Sequence, residues 1–295
     1  MNQPRRVNHP TRLARFTLVM FKPQVYVTYA VLWVLALEGS AALLAGRPWH
    51  PGAGTAVRAV SVLLALLFLR MADEQKDLEY DRVHHPDRPL VRGDITTAEL
   101  RAGMAGTALV LLVLNLASGP PAAVLVLALD LAYAVLLMGL ERRSAAVRDG
   151  LFVNLAVTYP VQLLLSVYVY VSAGGGAGWR AVPLLAVFVC VFLHFEFARK
   201  TSWRDDPGAR MYSGPLGPLP SARLAAGFAV AAVALALLLL PGRPVVLALV
   251  AATLLLPAAG WWRFRRRRVT GWPVPLAMGF VVAGYLALAV QAGVS

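Results

Sequence analysis

Leu224 to Leu240 reads LAAGFAVAAVALALLLL, and Pro244 to Trp262 reads PVVLALVAATLLLPAAGWW; neither stretch contains a charged residue. Each is about as long as a helix must be to cross a hydrocarbon core of ~30 Å. Working outward from this pair, apolar runs bounded by Gly, Pro and charge clusters predict further helices of the same kind. Nine spans result, at about 24–45, 56–74, 98–117, 121–140, 150–172, 180–197, 222–240, 244–262 and 272–293. The fold class is therefore all-α, a polytopic membrane bundle forming a single domain over residues 1–295.

Composition agrees. Hydrophobic residues make up 59% of the 295 and charged residues 15%, against about a quarter charged in ordinary soluble domains. The net charge of +13 would point to nucleic acid in a soluble chain. In a membrane chain it reports topology, and no nucleic-acid partner is expected. The apolar stretch from about Pro23 to Ala45 follows Arg5, Arg6, Arg12 and Arg15, yet it exceeds a signal-peptide core of about 7 to 15 residues and reads as the first span. The single cysteine, Cys190, lies inside a span, so it forms no intramolecular disulfide and reads as a small buried apolar residue.

Nine spans place alternate loops on opposite faces. Of 28 Lys and Arg, all but Arg47, Arg58, Arg180 and Arg243 fall in the N-terminal tail or near the loops after spans two, four, six and eight. An excess of basic residues marks the cytoplasmic side. The tail and the two longest loops, about 71–97 and 198–221, are thus expected in the cytoplasm. The cluster Arg263 to Arg268 reads as topogenic and suited to anionic lipid heads.

The first of these loops begins Asp73-Glu74-Gln75-Lys76-Asp77-Leu78-Glu79-Tyr80-Asp81. A continuous helix would put Asp73, Asp77 and Asp81 on one face, where like charges call for a compensating cation. Hard divalent ions prefer carboxylate oxygens, and Mg²⁺ characteristically combines one or two carboxylates with substrate phosphate and water. The alternative is a solvated helix end paired with Lys76 and Arg82. The segment continues through Arg88-Pro89-Leu90 and Gly93, residues that direct a defined turn.

At this point the sequence resembles the UbiA superfamily of intramembrane prenyltransferases. Their first motif, Asn-Asp-x-x-Asp-x-x-x-Asp at the end of the second helix, is matched by Asp73 at the Asn position, then Glu74, Asp77 and Asp81. Arg-Pro-Leu and a glycine follow, as Arg88 to Leu90 and Gly93. The second motif, Asp-x-x-x-Asp at the end of the sixth helix, aligns with Glu196 and Lys200, and Lys200 departs from it. A lysine does not ligate Mg²⁺ but can meet diphosphate as a point charge.

The resemblance implies a Mg²⁺-dependent enzyme that ionises a prenyl diphosphate. It implies metal ligation by Glu74, Asp77, Asp81 and Glu196, and diphosphate contacts from Arg88, Lys200 and Arg142 or Arg143. Asp73, Asn154 and Tyr212 are further candidates, and Asp205 and Asp206 would supply ligands if their loop folds back. Glu196 and Lys200 also have the spacing of a plain helical ion pair. Ser213 and Gly217 lie in the same loop, which would lid the site. Tyr80, Tyr159, Phe195 and Phe197 are candidates for stabilising an allylic cation, and ordinary packing is the alternative for each. Asn154 and Gln162 fit interhelical hydrogen bonding as well as ligand contact.

Three functions remain open from sequence: transfer of the prenyl group to an aromatic or other acceptor, cyclisation of the UbiA terpene-cyclase type without acceptor, and membrane transport. Transport fits least, because charge gathers at one membrane face and only Glu38 and Asp130 stand out within spans.

Overall fold

The structure, a computed structural model, describes residues 9–176, 178–204 and 210–294. A short amphipathic helix α1 (His9–Phe16) and a π-helical turn (Thr17–Phe21) precede the first span, α2 (Pro23–Leu44). Then follow α3 (Ala53–Lys76), α4 (Leu78–His84), α5 (Thr97–Ser118), α6 (Pro121–Arg143), α7 (Ala145–Asp149), α8 (Leu151–Ser172) and α9 (Ala181–Arg199). The chain closes with α10 (Ser213–Leu216), α11 (Pro218–Leu239), α12 (Pro244–Ala252), α13 (Leu255–Arg265) and α14 (Val274–Val294). Nine membrane-length apolar helices stand among the described residues, with α12 and α13 together forming the eighth.

Local chemistry sets many of the boundaries. Proline at the first helical position opens α2, α6, α11 and α12, where its missing N–H costs no hydrogen bond. At α5 the Thr96 hydroxyl accepts from the Glu99 N–H at 3.2 Å while Glu99 Oε2 accepts from the Thr96 N–H at 2.8 Å, a reciprocal capping box. The eighth span breaks after Ala252 because Pro257 lacks an amide hydrogen and its ring displaces the carbonyl four residues back, that of Thr253.

Packing joins the nine spans into a closed ring, each against the next, with α14 returning to α2. The tightest seams use small residues. Along α11, Ala222, Ala225, Ala229, Ala232 and Ala236 are buried in a helical stripe, letting the backbone of α9 approach closely. At Gly39 of α2 a Cβ atom would come within 2.6 Å of Ala292 Cβ on α14. Polar side chains cross-link the interior: Asn115 donates to Ser61 Oγ at 2.8 Å and accepts from the Tyr168 hydroxyl at 2.7 Å. Large apolar side chains such as Leu116, Leu238 and Val245 face outward, which suits lipid.

The two ends of the ring differ as the distribution of basic residues predicts. At one end Arg12 donates to the carbonyls of Gly93 and Asp94, Arg210 pairs with Asp149 at 3.1 Å, and the Trp203 N–H donates to the Thr270 carbonyl at 2.7 Å. Helix α1 and the loops after spans two, four, six and eight therefore share one face. At the other end Arg58 pairs with Glu38 at 2.7 Å and Arg47 donates to the carbonyl of Gly174. Glu38, which stood out as a charge within a span, is thus neutralised beside the opposite face. The protein is a multi-pass membrane protein with its long loops gathered at the basic end.

Candidate active site

At the basic end a cavity of about 310 Å³ opens between α3, α6, α8 and α9. Its deeper wall is apolar, formed by Leu69, Ala72, Ala134, Leu137, Met138, Val161 and Phe192. Its polar wall brings Asp73 and Lys76 from the last turn of α3 opposite Glu196, Arg199 and Lys200 from the end of α9, with Asn154, Thr158 and Gln162 between them on α8. Asp73 and Lys76 of the first cluster therefore meet Glu196 and Lys200 of the second across one space, whereas Glu74, Asp77, Asp81 and Arg88 are not among its lining residues.

On the α3 side, Lys76 Nζ lies 3.2 Å from Asp73 Oδ1 and 3.3 Å from Glu141 Oε1, and Asn154 Nδ2 donates to the same Glu141 oxygen at 3.0 Å. Glu141 went unnoticed in the sequence because it reads as part of the charged end Glu141-Arg142-Arg143. It is 3% exposed, whereas Arg142 and Arg143 are exposed beside it. The only sequence signal was a carboxylate one residue inside an arginine pair. Arg82, the other expected partner of the acids, instead pairs with exposed Glu79 at 2.8 Å.

The helix does not run unbroken through the first motif. It kinks at Asp77, between α3 and α4, although the N–H of Asp77 still donates to the Asp73 carbonyl and that of Asp81 to Asp77. The kink separates the roles of the four acids. Asp73 faces the cavity, half exposed. Burial pushes the Asp77 carboxyl up to about 6; Lys76 opposes this, and Asp73, Asp81 and Glu141 add to it.

Glu74 and Asp81 are each 1% exposed and share one cation. Arg88 Nη1 lies 3.2 Å from Glu74 Oε1 and 2.5 Å from Asp81 Oδ2, while Arg70 also bonds Glu74. Their other oxygens, Glu74 Oε2 and Asp81 Oδ1, are buried without a hydrogen-bond partner. Gly93, with φ of 76°, adopts the left-handed turn that returns this loop toward α5.

The α9 side is built around Glu196. Its Oε1 accepts from Lys200 Nζ at 2.7 Å and from the Tyr212 hydroxyl at 3.3 Å; its Oε2 accepts from Arg199 Nε at 2.7 Å. Tyr212 stacks on Phe197 with ring centroids 4.3 Å apart, and Lys200 Nζ sits 5.3 Å from the Tyr212 ring. Burial lowers the Lys200 ammonium below the ordinary lysine value, partly offset by Glu196, and raises the Tyr212 hydroxyl, with Glu196 adding to that rise.

The loop beyond is pinned to its neighbour: Ser202 bridges Gly271, Trp203 stacks on Phe264 at 5.0 Å, and the Arg267 guanidinium lies 4.4 Å from the Trp203 ring. One of the arginines assigned to lipid heads therefore also packs locally. Ser213 accepts from the Ser202 N–H at 3.1 Å, and Gly217, with φ of 83°, starts α11. Asp205 and Asp206 lie outside the described residues. Among the aromatic candidates, Tyr80 stacks on His84 and Phe197 on Tyr212. Tyr159 packs its ring against the cavity-lining Phe192, with centroids 5.5 Å apart.

No family profile and no curated protein matches the chain. Two solved structures share its fold. A structure of digeranylgeranylglyceryl phosphate synthase matches with TM-score 0.65 and 16% identity over 96% of this chain and 99% of its own. A UbiA homolog from Aeropyrum pernix K1 matches with TM-score 0.63 and 18% identity over 88% and 96%. At such identity the likeness establishes the polytopic helical fold, the one the resemblance implied.

Proposed function

We propose that this chain is an intramembrane prenyltransferase of the UbiA type, acting on a prenyl diphosphate. The observation that carries the reading is one cavity with two characters: acidic and basic side chains from α3 and α9 at its mouth, and an apolar wall behind them. An amphipathic substrate matches that layout, its diphosphate at the charged end and its prenyl tail along Leu137, Met138, Val161 and Phe192. The volume stands at the lower end of the ~300 to 1,000 Å³ common to ligand pockets. The two solved structures of the same fold support the assignment, one of them by being a synthase that builds a prenylated glyceryl phosphate. That relative also favours transfer over cyclisation here.

The α3 end fits a divalent ion. Burial chiefly, with neighbouring carboxylates adding to it, raises the Asp77 carboxyl, and Glu74 Oε2 and Asp81 Oδ1 are buried oxygens lacking donors. Among the described residues no group of three or more His, Cys, Asp or Glu stands ready-made for a metal; Mg²⁺ needs no such cage, since phosphate and water complete its shell. Asp77, Asp81 and Glu74, with Asp73, are the residues that would hold it. When bound, Mg²⁺ supplies stabilisation of the charge developing on the departing diphosphate.

The chain's own contribution is distinct. Lys200 and Arg199 attract phosphate oxygens as the allylic C–O bond breaks and the electron pair leaves with diphosphate. The apolar wall keeps water from the resulting cation, and the acceptor's nucleophilic atom then bonds to it and releases a proton. The basic end faces the cytoplasm in this reading, in line with the excess of Lys and Arg there.

The test is incubation of purified protein in lipid nanodiscs with Mg²⁺ and geranyl, farnesyl or geranylgeranyl diphosphate, with and without phenolic or glyceryl phosphate acceptors. Acceptor-dependent diphosphate release with a prenylated product is expected. A cyclic product without acceptor would replace transfer by cyclisation, and no release from any of the three would sink the enzyme reading.

A further inference from the structure

We propose that the α9 half of this site is a metal-free diphosphate clamp, in which Glu196 positions Lys200 and Arg199, so that a single divalent ion, held on the α3 side, serves the enzyme. This inference rests on the prenyl diphosphate reading and specifies how that headgroup is held.

Glu196 is the first reason. It is 5% exposed, and both of its oxygens are engaged, by an ammonium and a tyrosine hydroxyl on one side and by a guanidinium on the other. A Mg²⁺ ion requires oxygen donors at about 2.0 to 2.1 Å in near-octahedral array. Binding at Glu196 would have to displace two cations from a buried carboxylate and then sit beside them. The charge balance opposes it as well: among the described residues two cationic side chains pair with this one carboxylate.

The α3 side has the reverse balance. Asp73, Glu74, Asp77, Asp81 and Glu141 outnumber Arg70, Lys76 and Arg88, and the two orphaned oxygens lie there. Of this group only Asp73 and Lys76 line the cavity, so the acidic surplus that attracts a cation sits around the end of α3, opposite the basic α9 side that attracts an anion. A metal-bound diphosphate would fit between the two.

Lys200 and Arg199 retain the means to bind. Both line the cavity. An ammonium has three N–H donors and Lys200 commits one to Glu196; a guanidinium has five, and Arg199 turns its Nε and Nη2 toward Glu196. Basic residues in a last helical turn often do no more than offset the carbonyl end of the helix. These two differ in being oriented by a buried carboxylate, itself fixed by Tyr212, so that their remaining donors meet the ligand space. Glu196 is thus a positioning residue.

The experiment uses the full chain in nanodiscs, with inorganic pyrophosphate as the probe and Mn²⁺ counted by electron paramagnetic resonance. One Mn²⁺ per chain is expected in the presence of pyrophosphate. Lys200→Met should weaken pyrophosphate by roughly tenfold or more, the loss of one charge-assisted hydrogen bond, with Mn²⁺ count unchanged; Lys200→Arg should restore most of it. Glu196→Gln should likewise loosen pyrophosphate while keeping the single Mn²⁺. Two Mn²⁺ per wild-type chain, one of them lost in Glu196→Gln, would overturn the clamp while leaving the prenyl diphosphate reading intact. Unchanged pyrophosphate affinity in a folded Lys200→Met protein would do the same. Failure of the wild type to bind pyrophosphate under any condition would overturn both.

Discussion

Arg88 Nη1 donates to Asp81 Oδ2 inside the protein, where Asp81 is 1% exposed. The same nitrogen reaches Glu74. The arginine of the Arg-Pro-Leu segment is therefore an internal tie between its loop and the kinked helix, whatever else it meets. Replacing Arg88 with Ala should leave buried Asp81 uncompensated and Glu74 with Arg70 alone, and destabilise the fold by about 3 to 5 kcal/mol. Thermal unfolding in detergent measures this. A variant as stable as the wild type would show that the tie is incidental.

Among the described residues Asp77 forms no ion pair of the kind that holds Glu74 and Asp81; Lys76, the cation that offsets its burial, pairs with Asp73 and Glu141. Asp77→Asn removes charge without removing volume. Turnover on a prenyl diphosphate should fall by ~10²-fold or more, while expression holds and the melting temperature does not fall below wild type. Full activity in Asp77→Asn would exclude it from the site.

The raised carboxyl of Asp77 also makes a prediction about pH. Its folded value, about 6, exceeds the ordinary aspartate value of 3.8, so between these pH values the folded state binds more protons than the unfolded one. Stability of the metal-free protein should therefore decline as pH rises from about 4 through 6. Melting in EDTA across this range should show the decline, and Asp77→Asn should flatten it. A rise in wild-type stability over the same interval, undiminished in the variant, would contradict the assignment.

Sidedness can be read by labelling. In a Cys190→Ala background, a cysteine placed at exposed Asp87 should react with an impermeant maleimide only from the cytoplasmic face, and one at exposed Trp179 only from the opposite face. The reverse pattern would invert the topology and move the cavity to the other side of the membrane.

The amino-acid sequence alone determined the membrane bundle, its nine spans and the gathering of its basic loops at one end. Span length and the cost of burying charge in lipid leave few alternatives for runs such as Leu224 to Leu240. It also placed Asp73, Glu196 and Lys200 near one membrane face, since the ends of spans two and six lie on the same side. What only the tertiary structure decided is which charge meets which.

Helical spacing allowed Asp73, Asp77 and Asp81 to act together, but the kink at Asp77 turned Asp81 inward to Arg88 and left Asp73 on the cavity. Glu141 became part of the site, and Arg142 and Arg143 fell outside it, through the rotation of α6 about its own axis. Glu196 reads in one dimension either as a metal ligand or as half of a helical ion pair; the fold puts Arg199, Lys200 and Tyr212 on its oxygens. Hydrophobicity is a property of a segment and survives in one dimension; the partner of a charged side chain depends on helix rotation and on contacts between distant segments, which no local pattern encodes.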